Sequence, residues 1–420
     1  MAILGFASGM SQLGLISVPE LLLNKYRHIG IVLSDGVLFP ILVCAPIIGN
    51  YAIKDPTSRN WTYIYYGQFA AMVLTFISVF FLYVPPKRPR GVPWKQALKG
   101  LDYVGMVLVT GGVLLTLMGI VYTTYLPVKS ALVLGPLISG IVLLIIFGVW
   151  ENVSSVPYKL CPPDIFAHHW RRSFTTMIAM FYVAPGASIS ETLILTLPAN
   201  LGLVGGAFLF AITGHHIKHW KLTLIISFTL AVLFGGLMAM VTPYNKKLML
   251  AFIFLMQFTF GWAQYEAVMF VQFGVGQLNL GASGGLAGVA RFGGGSLAVS
   301  VYMSVLTNSQ AKKAMDIVVK AGMNNGLTQA AAKQLLAALS LGADAIAAVP
   351  DINPAAITAA STAFLVSYAY GLKMMALCSL GFGCFGIVLC FLCEDPEPKM
   401  TNQTNIFLEN DINAEKNKFH

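Results

Sequence analysis

The chain has 420 residues, of which 57% are hydrophobic and 10% charged, with a mean hydropathy of +0.74 and a formal net charge of +9. Soluble globular proteins carry about 25% charged residues, so this composition excludes a soluble enzyme and a disordered chain alike. The positive balance does not indicate a nucleic-acid partner, because the 26 Lys and Arg residues are spread along the chain and make no basic face with interleaved aromatics.

The apolar residues come in repeated blocks of about 20, the length of helix that crosses a bilayer core. A hydropathy window predicts eleven spans, at 2–23, 30–52, 62–84, 102–124, 130–150, 173–196, 198–214, 221–242, 248–272, 281–306 and 371–393. The sixth and seventh are the least separated. Ser173 to Gly214 holds Pro185, Glu191 and Pro198 with little room for a turn, so a re-entrant or broken helix is the alternative there.

Alternate connections differ in charge. One set carries Lys25 and Arg27; Lys87, Arg88, Arg90, Lys95 and Lys99; Lys159, Arg171 and Arg172; and Lys218 and Lys221. The opposite set carries only Lys54, Arg59, Lys129, Lys246 and Lys247. Cytoplasmic connections hold the Lys/Arg excess, so the first set is expected inside, with the C-terminal tail inside and residue 1 outside. Met1 leads directly into an apolar span with no charged region or cleavage pattern, so no removed signal peptide is predicted and the chain reads as starting mid-protein.

The segment 307–370 is expected outside. Its stretches 309–322 and 327–341 have amphipathic helical spacing, which predicts two surface helices over the external mouth, or a gating lid. The tail after Cys393 is polar and expected to be disordered. Cys378, Cys384, Cys390 and Cys393 fall in or at the end of one apolar block and read as apolar filler. His168, His169, His215, His216 and His219 lie in expected cytoplasmic loops with no acid or Cys nearby to complete a metal site. No phosphate loop, nucleophile elbow or dinucleotide fingerprint appears, so neither an enzyme nor an ATP-driven pump is expected, and no cofactor or metal.

Several stretches carry a family resemblance. Gly285-Leu-Ala-Gly-Val-Ala-Arg-Phe-Gly-Gly-Gly-Ser-Leu-Ala-Val-Ser-Val-Tyr302, Phe260-Gly-Trp-Ala-Gln-Tyr265 and Gly214-His-His-Ile-Lys-His-Trp-Lys221, with Leu23-Asn-Lys-Tyr-Arg27, Ala348-Val-Pro-Asp-Ile-Asn-Pro354 and Met400-Thr-Asn402, resemble the fungal major facilitator branch of trichothecene efflux pumps and siderophore-iron transporters. The resemblance implies an all-α polytopic membrane protein on a fourteen-helix plan, whose last eleven helices match the spans here while the first three have no counterpart. It divides the chain into a partial N-terminal bundle at 1–84, a basic cytoplasmic loop at 85–101, an inserted helix pair at 102–150, a cytoplasmic loop at 151–172, a C-terminal bundle at 173–393 that includes the external segment, and a tail at 394–420. The charged loop motif of facilitators would lie between the second and third helices of that plan, before residue 1, and the corresponding loop of the second half, Gly214 to Lys221, keeps its basic character without an acid. Of the antiporter motif only Pro46 and Gly49 remain, within Ala45-Pro-Ile-Ile-Gly-Asn50; such a motif kinks a helix and lets a neighbour pack closely.

Facilitators rock two bundles around a central site, with ionisable residues at mid-membrane as coupling points. Glu20, Asp35, Glu191, Glu266 and Arg291 are the charges inside spans. Arg291 stands about 15 Å into its span, flanked on its face by Gly284, Ala287, Gly288, Gly294, Gly295 and Ala298; it needs an acceptor, and serves either as a coupling residue or as a static ion pair. Glu266, on the preceding span, is one partner for it, although helical geometry sets Glu266 on another face from Gln257, Gly261, Gln264 and Tyr265 and turns it toward its own bundle. Asp35 suits proton exchange in a low-dielectric setting, with pairing to Lys25 or Arg27 as the alternative. Asp35, Glu266 and Arg291 are therefore the expected proton-coupling residues. Gln257, Trp262, Gln264 and Tyr265 are the expected cavity lining, where aromatics including Phe270 would suit a multi-ring compound.

The resemblance thus implies a monomeric secondary transporter, of the plasma membrane or of a vacuolar or vesicular one, exchanging protons for an amphipathic organic substrate such as a trichothecene-like toxin. Siderophore-iron transport is the alternative within the branch, and a non-transporting remnant is the alternative outside it.

Overall fold

The computed structural model describes residues 22–36, 38–53, 60–82, 94–161, 193–274, 280–339, 343–350 and 352–401. Among these, regular structure is helical apart from an isolated bridge between Leu101 and Tyr158. In chain order the helices are α1 (Arg27–Gly36), α2 (Leu38–Ile53), α3 (Trp61–Leu82), α4 (Trp94–Lys99), α5 (Tyr103–Tyr122), α6 (Ala131–Val153), α7 (Leu193–Ile217), α8 (Trp220–Leu237), α9 (Lys246–Gly274), α10 (Leu280–Asn324), α11 (Gln329–Ala338), α12 (Ala343–Ala347) and α13 (Pro354–Leu392).

Nine stretches among the described residues are long and apolar enough to cross a membrane, and they coincide with nine of the eleven expected spans. The spans at 2–23 and 173–196, with Glu20, Glu191, His168 and His169, lie outside the described residues apart from the last residues of each span. Helix ends follow local chemistry. Asp102, Ser130, Thr328 and Asn353 each turn a side-chain oxygen onto a main-chain N–H of the first turn of α5, α6, α11 and α13, filling donors that a helix start leaves open.

Two boundaries differ from expectation. The stretch 309–322 is not a separate surface helix but the continuation of α10, and α13 begins 17 residues before the span expected at 371. The extended ends of α10 and α13 pack with α11 around their own small core of Ala314, Val318, Ala332, Leu335, Ala356 and Ala360. Only α11 forms as a separate helix, within the expected 327–341. Pro198 stands inside α7 rather than at its start, and Pro46 stands inside α2. Among the described residues no atom lies within 4 Å of a Cβ built at Gly49, so none of them makes the close approach expected there.

The main core gathers α1, α7, α8 and α9 around Ile31, Phe210, Trp220, Leu224, Phe260, Tyr265 and Met269, with Cys390 and Cys393 from the end of α13. The tightest seam is α7 on α9. A Cβ on Gly206 would collide with the Phe258 carbonyl oxygen, and one on Gly261 with that of Leu203, so both positions need the missing side chain for the backbones to meet. The tail is ordered where it leaves α13: Met400 packs on the main core and Lys25 N donates to Thr401 O at 3.2 Å.

Candidate functional site

Asp35 sits one residue before the end of α1, 5% exposed. Its Oδ2 accepts the Tyr265 hydroxyl of α9 at 2.9 Å and lies 3.3 Å from Arg291 Nη1 of α10. With its amide oxygen turned toward α10, Gln264 accepts from Arg291 Nε at 3.2 Å and Nη2 at 2.7 Å. One carboxylate oxygen therefore ties three helices together, and the guanidinium is held from two sides.

The local sequence makes this arrangement. A guanidinium on an apolar helix needs acceptors supplied by protein. Adjacent positions on α9 provide a neutral one for Arg291 and a hydroxyl for Asp35. Phe39 of α2 seats the corner, its ring 6.1 Å from Tyr265 and 5.4 Å from Phe208 of α7. Asp35 thus pairs with Arg291, not with Lys25 or Arg27.

Glu266 is not the partner of Arg291. It is fully buried and turned toward α8, accepting from Thr223 Oγ1 and, at 3.0 Å, from Trp262 Nε1; the orientation toward its own bundle matches the helical geometry. The expected cavity face is divided. Gln264 and Tyr265 reach the Asp35 corner, whereas Gln257 and Gly261 lie against α7 at Gly202 and Leu203. Trp262 packs its ring 5.5 Å from Phe210, and Phe270 is in the main core.

A second polar cluster lies on the side of the basic connections. Arg27 is buried, donates to Asn24 Oδ1 at 3.0 Å and stacks on Phe273 at 4.9 Å. Asn24 donates to Thr401 Oγ1 at 3.0 Å, and Lys399 to Phe273 O at 2.7 Å. His28, fully buried, packs among Phe210, Trp220 and His215 at centroid distances of 5.6, 5.2 and 5.9 Å. The Asn-Lys-Tyr-Arg and Met-Thr stretches quoted for the resemblance are thus the two faces of one contact. Only their spatial meeting was missing from the sequence.

Comparison with known proteins gives these contacts a setting. The family model described as "Fungal trichothecene efflux pump (TRI12)" matches residues 1–194 and 176–419. A relative described as "MFS-type transporter prx5", from Penicillium rubens, is 36% identical over 96% of this chain and 77% of its own length. Two relatives described as "Trichothecene efflux pump TRI12" are more distant: that of Fusarium sporotrichioides is 22% identical over 99% of this chain and 73% of its own, and that of Trichoderma arundinaceum 25% over 73% and 54%. The family match runs along the same helices that carry Asp35, Gln264, Tyr265 and Arg291. The chain belongs to the fungal trichothecene efflux pump family of the major facilitator superfamily and is a multi-pass membrane transporter.

Proposed function

We propose that this transporter exports an amphipathic organic compound, trichothecene-like in class, across the plasma membrane in exchange for protons, acting as a monomer. The observation that carries the reading is the single Asp35 oxygen shared by Tyr265 and Arg291. Protonating that carboxyl removes the charge that holds the guanidinium, which then has Gln264 as its remaining acceptor. The contact of α1 with α9 and α10 loosens, and the Gln264–Tyr265 face opens to substrate. Deprotonation restores it. Glu266 keeps neutral donors only and serves as a buried acid within the α8–α9 pair, and Pro46 allows α2 to bend. The relatives' description as trichothecene efflux pumps supports the substrate class, and the aromatic surroundings of Tyr265 suit a multi-ring compound.

The test uses purified protein in liposomes with an imposed pH gradient and a radiolabelled trichothecene as probe. Wild-type protein moves the probe in the direction the gradient dictates. Asp35→Asn abolishes gradient-driven movement while retaining exchange of probe for probe. Probe movement by Asp35→Asn that still follows the pH gradient refutes the assignment of coupling to Asp35.

A further inference from the structure

The start of α5 and the end of α6 lie side by side, because the two helices form an antiparallel hairpin. The connections leaving them are fastened there. Tyr158 N donates to Gly100 O at 3.2 Å within the Leu101–Tyr158 bridge. Beneath that bridge are two carboxyl groups, Asp102 and Glu151, 1% and 3% exposed.

Each acid has one oxygen occupied. Asp102 Oδ1 accepts from Gly105 N and from Trp150 Nε1, both at 2.9 Å. Glu151 Oε1 accepts from Cys161 N at 3.3 Å, and the main-chain N–H of Leu160 also acts on this carboxyl. Among the described residues the other two oxygens, Asp102 Oδ2 and Glu151 Oε2, are buried without a hydrogen-bond partner, as is Ser154 Oγ, and the two carboxyl groups are close enough to act on each other directly. Gly105 leaves the space that Asp102 Oδ2 occupies; a Cβ there would collide with it. Lys159 Nζ donates to the main-chain oxygen of Glu151 at 2.6 Å, and the two open carboxyl oxygens have no partner among the described residues.

Two neighbouring acceptors cannot bond each other, and two ionised carboxylates side by side away from water repel. One proton turns one of them into a donor and removes half the charge. We infer that Asp102 and Glu151 form a proton-binding site, with one proton held between Oδ2 and Oε2, and that this proton fastens the two connections at the base of the α5–α6 hairpin. The proton comes from bulk water and returns to it, with no other bond made or broken. Raising the pH removes it, leaves two facing charges and loosens the fastening. Other ionisable groups at this base are Tyr158, Lys99, Tyr103, whose hydroxyl donates to Leu98 O at 3.0 Å, and Cys161, whose thiol burial pushes up to about 11, with the charge of Glu151 adding to the effect. None of them places a donor on the two open oxygens.

The inference is independent of coupling at Asp35 and needs no substrate to test. Full-length protein in lipid nanodiscs is titrated while its infrared spectrum and thermal midpoint are recorded, alongside Asp102→Asn and Glu151→Gln. The wild-type minus variant spectrum at neutral pH should contain the carbonyl band of a protonated carboxylic acid, lost as pH rises together with a fall in the wild-type midpoint. Asp102→Asn, whose amide donates permanently to Glu151, should lose the alkaline fall of the midpoint seen in wild type. A difference spectrum without an acid band overturns the inference. So does a midpoint raised by sodium, potassium, magnesium or calcium, which would make this a metal-cation site. Should neither variant fold, an unchanged wild-type midpoint between about pH 5 and pH 9 overturns it as well.

Discussion

Helices α3 and α9 are both apolar enough to span a bilayer, yet among the described residues none of the apolar window of α3 is buried whereas half of that of α9 is. Their sequences explain the difference. The outward-facing residues of α3 include Tyr63, Phe69, Phe76, Phe80 and Phe81, suited to lipid. By contrast α9 carries Gln257, Gln264 and Glu266 at positions where lipid would leave polar groups unsatisfied, so it is enclosed by α1, α7, α8 and α10. Burial in a membrane protein is set by where polar atoms and glycines fall, since apolar side chains are equally at home in protein and in lipid.

The largest effect that sharpens this contrast is expected at the α7–α9 seam. Gly206→Val or Gly261→Val places a side chain on a facing carbonyl, beyond the about 1–3 kcal/mol of ordinary overpacking, and should abolish folded protein in fluorescence-detection chromatography. Gly67→Val on α3, where no described residue lies within 4 Å, should leave the yield unchanged. Equal losses at both sites would erase the distinction between the helices.

Next is the Asp35 corner. Arg291→Lys keeps the charge but loses the planar fork that serves Asp35 and Gln264 together. Transport into vesicles should fall by about tenfold or more with the protein still folded, as a lost charge-assisted hydrogen bond of about 1.5–3 kcal/mol implies. Tyr265→Phe removes a neutral donor from the Asp35 carboxylate, on which Arg291 remains, and should fall at the lower end of the same range, about 1.5 kcal/mol or roughly tenfold in rate.

Much of this corner was legible in the chain, and its limits are instructive. Arg291 announces itself because a mid-span cation requires an acceptor, and the faces of α9 were separable by helical geometry, which turned Glu266 toward its own bundle. That geometry works on one helix at a time. It does not say which helix stands opposite, so Asp35, 256 positions away from Arg291, could not be paired from sequence. The apolar blocks fixed nine spans, but hydropathy falls where α10 leaves the bilayer, and the amphipathic continuation to Asn324 looks like a new helix although no proline interrupts it. At α13 the start signal was present as Asn353-Pro354, a cap followed by proline in the first turn, and it outweighs the hydropathy boundary at 371. The tail read as polar and disordered because its partners, Asn24 and Lys25, are nearly 380 positions away.

Smaller effects follow on the side of the basic connections. Thr401→Ala removes the acceptor for Asn24 and should lower thermal stability by about 1 kcal/mol, read as a shift in the unfolding midpoint. The smallest effect is expected back on α3, where Phe69→Ala, at a position 69% exposed, should stay within about 0.5 kcal/mol of wild type.

The claim that Asp35 and Arg291 join and part is tested most directly by the distance between spin labels at Leu33 on α1 and Phe292 on α10, both on exposed faces beside the contact. Pulsed electron resonance in nanodiscs should resolve a near and a far population, with acidification increasing the far one in wild type, and Asp35→Asn holding the far one at every pH. A single distance that ignores both pH and the Asp35→Asn change would contradict the account.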